Sequence, residues 1–286
     1  MLAMENLAKS TWNKSTMQST SMNVLLLDAY NLIYRARSGY MKGDYPVVYN
    51  FFRGVRPLVE KFKPDLVYFV LEGNPQFRTQ LNDAYKANRE NKDRHFHEQK
   101  AQIISIVKEC LPFTSVRHPN LECDDTIATL VKVHCDKGDD CTIISSDSDF
   151  YQLLNAFDNC EIYNPVKKKM IETPDYDYVT WKSLRGDPTD NISGIPGCGD
   201  KTADKLVRSP ELLSEYLKKD PIRQQVFERN VNLIRLVDFS DKLSDMEKHE
   251  GVSDFEQLYD IFDDMDFQSM LKEKTWNKYV KTFGGL

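Results

Sequence analysis

The sequence predicts an α/β fold with a parallel sheet at its core. Three continuous apolar runs, typical of strands buried on both faces, end at carboxylates. The runs and the acids that follow them are 24–27 with Asp28, 66–71 with Glu72, and 141–146 with Asp147. Helical apolar patterns separate the runs, over 48–62, 96–111 and 124–136. Such alternation favours a parallel sheet whose strands are joined by helices.

Acidic residues collect where this sheet would place a binding site, just beyond the carboxyl ends of its strands. Besides the strand-end acids, the chain carries Glu122, Asp124, Asp125, Asp149, Asp187 and Asp190. Carboxylates held close together repel one another, and a divalent cation such as Mg²⁺ or Mn²⁺ relieves that repulsion. We therefore predict a metal site. The structural alternatives are an acidic helix start at 122–125 and an Asx turn or helix cap at Asp147.

Length and composition allow one large or two modest domains. The chain has 286 residues, 41% of them hydrophobic and 29% charged. We expect a disordered leader over 1–22, with Met22 as an alternative start, and then a core over 23–173 and a mostly helical region over 174–286. A hairpin is predicted at 160–171. The six cysteines lack paired spacing, and no apolar run reaches membrane-spanning length, which predicts a cytoplasmic protein with reduced thiols.

The stretch 186–206 combines two acids with a turn rich in glycine that enters a helix. Gly194, Gly197 and Gly199 accompany Pro196 in this turn. Backbone N–H groups at such a turn can point at a phosphate. Further contacts are expected from the side chains that follow, namely Lys201, Thr202 and Lys205. The alternative is an ordinary connection between two helices.

The segment 78–100 is polar and alternates cations with aromatic residues. It contains Arg78, Tyr85, Lys86 and Arg89. We predict a phosphate-binding flap near the metals, in which Tyr85 is free to stack on a base. An exposed segment without a binding role is the alternative.

Charge is distributed unevenly along the chain, whose net charge is −6. The nine acids named above carry −9, and segment 238–266, with 11 acids and two lysines, carries another −9. The remainder therefore carries +12. A basic surface around an acidic pocket suits a polyanionic substrate.

Taken in order, these motifs resemble the flap endonuclease and 5′-to-3′ exonuclease family, which includes bacteriophage 5′ nucleases and the nuclease domain of bacterial DNA polymerase I. The resemblance covers about 23–235. It rests on Asp28 with Asn31, Tyr85-Lys86-x-Asn88-Arg89, Glu122-x-Asp124-Asp125, Asp147-x-Asp149 and Gly186-Asp187-x-x-Asp190-Asn191. One position departs from the family pattern, because Glu72 stands where the family usually has Asp.

The resemblance implies a PIN-like parallel-sheet core with a helical arch at about 78–100, plus a helical DNA-binding region whose helix–three-turn–helix hairpin lies at about 186–206. It also implies two divalent cations, Mg²⁺ with Mn²⁺ as a substitute, and K⁺ at the hairpin. The expected ligands of the first ion are Asp28, Glu72, Glu122 and Asp124. Those of the second are Asp125, Asp147, Asp149, Asp187 and Asp190.

The implied activity is hydrolysis of DNA near 5′ ends, nicks and 5′ flaps, giving 5′-phosphate and 3′-hydroxyl ends, with RNA–DNA hybrids as a further substrate. Lys86, Arg89 and Asp124 would be catalytic. DNA contacts are expected from Arg78, Tyr85, Lys86, Arg89, Gly197, Gly199, Lys201, Thr202 and Lys205. We expect a monomer with no membrane contact. A PIN-type ribonuclease and a catalytically inert binder of branched DNA are the alternatives.

Overall fold

A computed structural model describes residues 21–40, 42–87 and 93–286 of the chain. Within these ranges the strands form a central sheet of seven and a separate pair. The strands are β1 (Asn23–Asp28), β2 (Leu66–Val70), β3 (Thr114–Arg117), β4 (Asp140–Ile144), β5 (Cys160–Asn164), β6 (Lys169–Met170), β7 (Gly186–Asp187), β8 (Ile192–Ser193) and β9 (Glu247–His249).

The central sheet has the order β6-β5-β4-β1-β2-β3-β9. Its five inner strands are parallel, and β6 and β9 close the two edges as antiparallel strands. At the centre, Leu26 of β1 is in register with Tyr68 of β2 and Ile143 of β4. The predicted α/β class, the three predicted strands and the 160–171 hairpin are confirmed. The short strands β3 and β9 were not predicted.

Helices cover both faces of this sheet. They are α1 (Ala29–Ala36), α2 (Pro46–Phe62), α3 (Gln76–Leu81), α4 (Arg94–Cys110), α5 (Cys123–Cys135), α6 (Tyr151–Leu154), α7 (Tyr178–Arg185), α8 (Asp200–Val207), α9 (Pro210–Lys218), α10 (Pro221–Ile234), α11 (Phe255–Asp264), α12 (Gln268–Leu271) and α13 (Glu273–Phe283). Because side chains alternate along β1, Leu25 and Leu27 pack under α1, α2 and α4, whereas Val24 and Leu26 pack against α5 and α6. None of the described helices has both the length and the apolar composition to cross a membrane.

The C-terminal segment returns to the core instead of extending the helical region predicted over 174–286. Strand β9 pairs with β3, and the apolar faces of α11 and α13 pack in the same cluster as α2. Phe262 and Tyr279 are fully buried there, and the Tyr279 hydroxyl donates to the Phe52 carbonyl oxygen at 3.0 Å. Burial of these large aromatic side chains holds the segment on the sheet. The separate helical layer is therefore limited to α7–α10, which has its own small apolar cluster.

Two predicted segments lie partly outside the described residues. The predicted leader is described only at its end, where the Met22 N–H donates to Asp139 Oδ1 and the Met22 carbonyl accepts from the Asp140 N–H. These contacts correct its boundary, because Met22 already belongs to the folded core. The predicted arch is described over 78–87 and 93–100, as α3 with the turn that follows it and the first part of α4.

Candidate active site

Four carboxylates meet in a cleft of about 870 Å³ at the carboxyl edge of the sheet. Asp28 ends β1, Glu72 follows β2, Asp147 follows β4, and Asp124 lies in the first turn of α5. Lys86 lines the same cleft. The parallel arrangement explains the convergence, since adjacent parallel strands end at the same edge of the sheet.

Hydrogen bonds fix the orientation of the strand-end acids. Asp28 is the N-cap of α1, and its Oδ1 accepts from the Asn31 N–H at 3.0 Å while its Oδ2 accepts from the Ser145 hydroxyl at 2.7 Å. Asn31 in turn accepts from the Ser146 N–H at 3.1 Å. These hydrogen bonds connect the segment at the end of β1 to the segment after β4. They hold Asp28 and Asp147 on the same side of the cleft.

The cleft carboxylates disfavour one another's charged forms. Burial, with a contribution from Asp147, raises the pKa of Asp28 to about 6. Burial and the charge of Glu122 raise the pKa of Glu72 to about 7. The pKa of Asp124 is also raised, by burial and then by Asp147 and Asp28. A divalent cation among these oxygens would remove the penalty, so the donor set fits a hard cation such as Mg²⁺.

Arg78 neutralises the two other acids of the 122–125 stretch. Its guanidinium donates to both carboxylate oxygens of Asp125, at 2.5 and 2.7 Å, and to Glu122 Oε2 at 2.9 Å. Arg78 is 3% exposed and Asp125 is 0% exposed. Asp125 also accepts from the Val237 N–H at 2.8 Å. These contacts argue against the predicted role of Asp125 as a metal ligand, because protein donors already satisfy its buried oxygens.

The same network corrects the roles predicted for Arg78 and Tyr85. The Tyr85 side chain is 6% exposed, and its hydroxyl donates to Glu122 Oε2 at 2.8 Å. It is therefore not free to stack on a base. Arg78 is not free to contact a phosphate either, since its remaining N–H groups donate to the Leu233 and Arg235 carbonyl oxygens. Arg78 joins α3 to α5 and α10, and Tyr85 joins the turn after α3 to the start of α5.

Lys86 is the cation that this network presents to the cleft. Its backbone is left-handed, with φ of 54°, and its N–H donates to the Asp190 carbonyl oxygen at 3.1 Å. The ammonium contacts Glu122 Oε1 and lies 3.6 Å from Asp190 Oδ2. Burial opposes its charge, but Glu122, Asp124 and Asp190 outweigh burial and raise the pKa of Lys86. Arg89, the other predicted catalytic cation, and Asn88 of the same motif lie outside the described residues.

A second group of carboxylates lies beside the cleft. Asp149, Asp187 and Asp190 place one oxygen each within 4.8 Å of one another, a spacing suited to a shared metal ion. The ammonium of Lys182 contacts Asp149 and lies 2.7 Å from Asp187 Oδ2. These charges outweigh burial and raise the pKa of Lys182, whereas burial, partly offset by Lys182, raises the pKa of Asp149 to about 6.

The sequence patterns did not predict Lys182 as a site residue. It lies on the buried face of α7 with Tyr178, Val179 and Ser183. A lysine at a position of helical apolar spacing, five residues before Asp187, was the signal that could have identified it. A buried lysine requires a carboxylate partner, because an unpaired buried charge is strongly destabilising.

The structure thus divides the acids differently from the prediction. Asp147 lines the cleft with the first set, not with Asp149. Glu122, expected in the first set, gives both oxygens to Arg78, Tyr85 and Lys86. The division follows from position, because Asp147 lies at the strand end and Asp149 two residues further, facing α7.

The glycine turn leads into α8 as predicted. Gly197 has a positive φ of 78°, and Gly199 is the N-cap of α8 with φ of −85°. A Cβ at either glycine would meet open space, and both glycines are exposed. Lys201 and Lys205 are exposed, and Thr202 is half-buried. Of these two glycines, Gly197 is the one that needs the conformational freedom of glycine.

Known proteins match both the sequence and the fold. A family model for the 5′-3′ exonuclease N-terminal resolvase-like domain matches residues 23–182. Thermostable DNA polymerase I of Thermus thermophilus is 33% identical over 213 residues, which cover 68% of this chain and 25% of that protein. DNA polymerase I of Treponema pallidum is 32% identical over 203 residues, covering 64% of this chain and 20% of the relative. The chain therefore spans about a quarter of the length of the curated relatives it matches.

Two solved structures share the fold at low sequence identity. The T5 D15 protein, co-crystallised with metal ions, aligns with a TM-score of 0.64 and 20% identity, covering 75% of this chain and 89% of its own. The catalytic core of Rad2 in complex with a DNA substrate aligns with a TM-score of 0.53 and 13% identity, covering 92% of this chain and 91% of its own. Because a family model matches more than half of its length, the chain belongs to the 5′-3′ exonuclease family, and residues 23–182 are its N-terminal resolvase-like domain.

Proposed function

We propose that this chain is a metal-dependent, structure-specific 5′ nuclease. It hydrolyses phosphodiester bonds of DNA near 5′ ends and at junctions of single strand and duplex, leaving 5′-phosphate and 3′-hydroxyl ends. The observation that carries the proposal is the cleft in which Asp28, Glu72, Asp124 and Asp147 lie together with the partly accessible cation Lys86. Proteins of similar fold support the metal and the substrate class, since T5 5′-exonuclease binds zinc ions and Rad2 binds DNA.

Two divalent cations are proposed. Asp28, Glu72, Asp124 and Asp147 would hold the first, and Asp149, Asp187 and Asp190 the second. When bound, such ions supply an activated water and stabilise the attacking and leaving oxygens. Mg²⁺ is the proposed physiological ion with Mn²⁺ as a substitute, and K⁺ at the glycine turn stays a prediction.

Lys86 is proposed to bind the scissile phosphate. Its left-handed backbone and its contacts with Glu122 and Asp190 keep the ammonium at the rim of the cleft. A donor positioned in advance stabilises developing negative charge without reorganisation. Glu122 is a positioning residue in this proposal, because Arg78 and Tyr85 fix its carboxylate on one side and Lys86 lies on the other.

The glycine turn with Lys201 and Lys205 is proposed to hold the downstream duplex. Backbone N–H groups of the turn and its exposed lysines would contact phosphates, which set position without reading sequence. RNA–DNA hybrids are a further proposed substrate. A monomeric state and a cytoplasmic location stay predictions.

A cleavage assay tests the function directly. Wild type and Asp124→Asn would be incubated with 5′-flap DNA, single-stranded DNA and RNA, with Mg²⁺ and with a chelator. We expect Mg²⁺-dependent cuts near the flap junction by wild type, none with chelator, and retained DNA binding without cleavage by Asp124→Asn. Preference for RNA would support a PIN-type ribonuclease, and binding without any cleavage by wild type would support an inert DNA binder.

A further inference from the structure

A second cleft, of about 550 Å³, lies on the other side of Glu72. It is bounded by the second half of α4 and by β3 and β9, and its walls include Ile104, Lys108 and Ser115. Tyr30 and Glu72 line both this cleft and the one that holds the acids. The two clefts are therefore neighbours that share a wall, although no described metal-site acid other than Glu72 lines the second.

Residues that line the second cleft carry unused hydrogen-bond donors. Ser115 is 2% exposed, and its hydroxyl has no hydrogen-bond partner among the described residues. The buried Nε of Arg117, two residues further along β3, is likewise unpartnered within that part of the chain. Lys108 approaches from α4, where the described residues offer it no ion pair. Buried polar groups normally have partners, so a hydroxyl and a guanidinium nitrogen directed at one cleft indicate a ligand that accepts hydrogen bonds.

The acids around the cleft leave part of this positive charge available. Glu247 lies 3.8 Å from Arg117 Nη1, and its side chain is largely exposed, so it holds Arg117 only loosely. Glu250 is occupied by Lys248 at 2.5 Å and by the Thr114 hydroxyl at 3.0 Å. The donors therefore match an anion with several oxygen acceptors, and Ser, Arg and Lys are residues that contact phosphates.

We propose that the second cleft binds a backbone phosphate of the single-stranded 5′ segment of the substrate. This inference rests on the proposed function and deepens it, because a strand lying over the cleft acids reaches the second cleft once it passes Tyr30 and Glu72. Lys108 and Arg117 bind the phosphate oxygens by charge, and the Ser115 hydroxyl donates a hydrogen bond. Contacts of this kind depend on the length of the 5′ strand and not on its sequence.

Binding measurements in chelator test the proposal without requiring cleavage. Fluorescence anisotropy would compare wild type, Lys108→Glu and Ser115→Ala on a nicked duplex and on duplexes with short and long 5′ single strands. Lys137→Glu is the matched control, because it reverses the same charge on an exposed turn after α5. We expect Lys108→Glu to weaken binding of the long 5′ strand about tenfold, corresponding to ~1.4 kcal/mol, and to leave the nicked duplex unchanged.

Salt dependence provides a second readout. Loss of one phosphate contact should lower the slope of log affinity against log salt by about 1 for the long 5′ strand. Ser115→Ala should weaken binding of the same substrate less than Lys108→Glu does. It should not change the salt slope, because it removes a neutral donor. Equal weakening on all substrates, or identical behaviour of Lys108→Glu and Lys137→Glu, would overturn the proposal.

Two further outcomes are separable. If wild type neither cleaves nor binds DNA with a 5′ single strand, the proposed function is wrong, and the second-cleft proposal is overturned with it. Free inorganic phosphate is the alternative ligand, because it presents the same oxygen acceptors to the cleft. If inorganic phosphate stabilises wild type against thermal unfolding more than it stabilises Lys108→Glu, while no variant depends on 5′ strand length, the cleft binds free phosphate and the strand proposal is overturned.

Discussion

Asp124 and Asp125 are adjacent in the chain and have opposite electrostatic situations. Asp125 is enclosed by protein donors, and Arg78 binds both of its oxygens. Asp124 faces the cleft, where Asp147 and Asp28 raise its pKa together with burial. One carboxylate stabilises the fold through a direct ion pair, whereas the other lies among like charges that the nearby Lys86 offsets only in part. Within the described residues, the functional charge is thus the one whose repulsion exceeds its compensation.

The largest expected effect is on stability and has opposite signs at the two positions. Asp125→Asn removes the carboxylate that binds the buried Arg78 through both oxygens and should lower the free energy of unfolding by about 3–5 kcal/mol. Asp124→Asn removes a repelling charge and should raise that free energy in chelator by about 0.5–2 kcal/mol. Urea unfolding of both variants measures the difference. Equal destabilisation by the two variants would show that both acids are structural.

Lys86→Ala should lower the cleavage rate by about 10²–10³, the usual effect of losing one preorganised donor. Because the charge acts on one reacting phosphate, duplex affinity should change little. Single-turnover kinetics and anisotropy on the same 5′-flap substrate separate the two effects. Lys201→Ala is the control, since that exposed lysine lies on the glycine turn. Equal losses of rate and affinity in Lys86→Ala would assign it to binding alone.

Lys182→Met should alter the Asp149, Asp187 and Asp190 group, because the Lys182 ammonium contacts Asp149 and lies 2.7 Å from Asp187 Oδ2. Removing the ammonium takes away the cation that Asp149 and Asp187 share and should destabilise the metal-free protein by about 1–3 kcal/mol. Added Mn²⁺ should then stabilise the variant more than wild type, because the ion replaces the lost charge. Thermal unfolding with and without Mn²⁺ measures this. An equal Mn²⁺-induced shift would mean that Lys182 does not occupy the metal position.

The smallest expected effect is a pH dependence. The folded-state pKa values of Asp28 and Glu72 are raised to about 6 and about 7, so the native state binds more protons than the unfolded chain. In chelator, stability should therefore rise as pH falls from about 7 towards the unfolded pKa values near 4. Glu72→Gln should flatten this rise between about pH 5 and 7. An unchanged profile in the variant would show that Glu72 does not share the acidic cleft.

The sequence determined the sheet and the place of the site. Continuous apolar runs fix buried parallel strands, and the acids directly after them must then gather at one edge. For that reason Asp28, Glu72 and Asp147 could be assigned together from local patterns. The family membership was also contained in the order of the motifs, and the match over 23–182 confirms it.

Only the tertiary structure decided which acids have partners. Arg78 lies 47 residues before Asp125 and closes a buried ion pair across the fold, which no local pattern indicates. The roles of Tyr85 and Lys182 were missed for the same reason, since each depends on contacts between distant elements. The second cleft likewise arises where β9 pairs with β3, more than 100 residues away. Local sequence sets backbone periodicity, whereas charge compensation depends on which distant side chains the folded chain brings together.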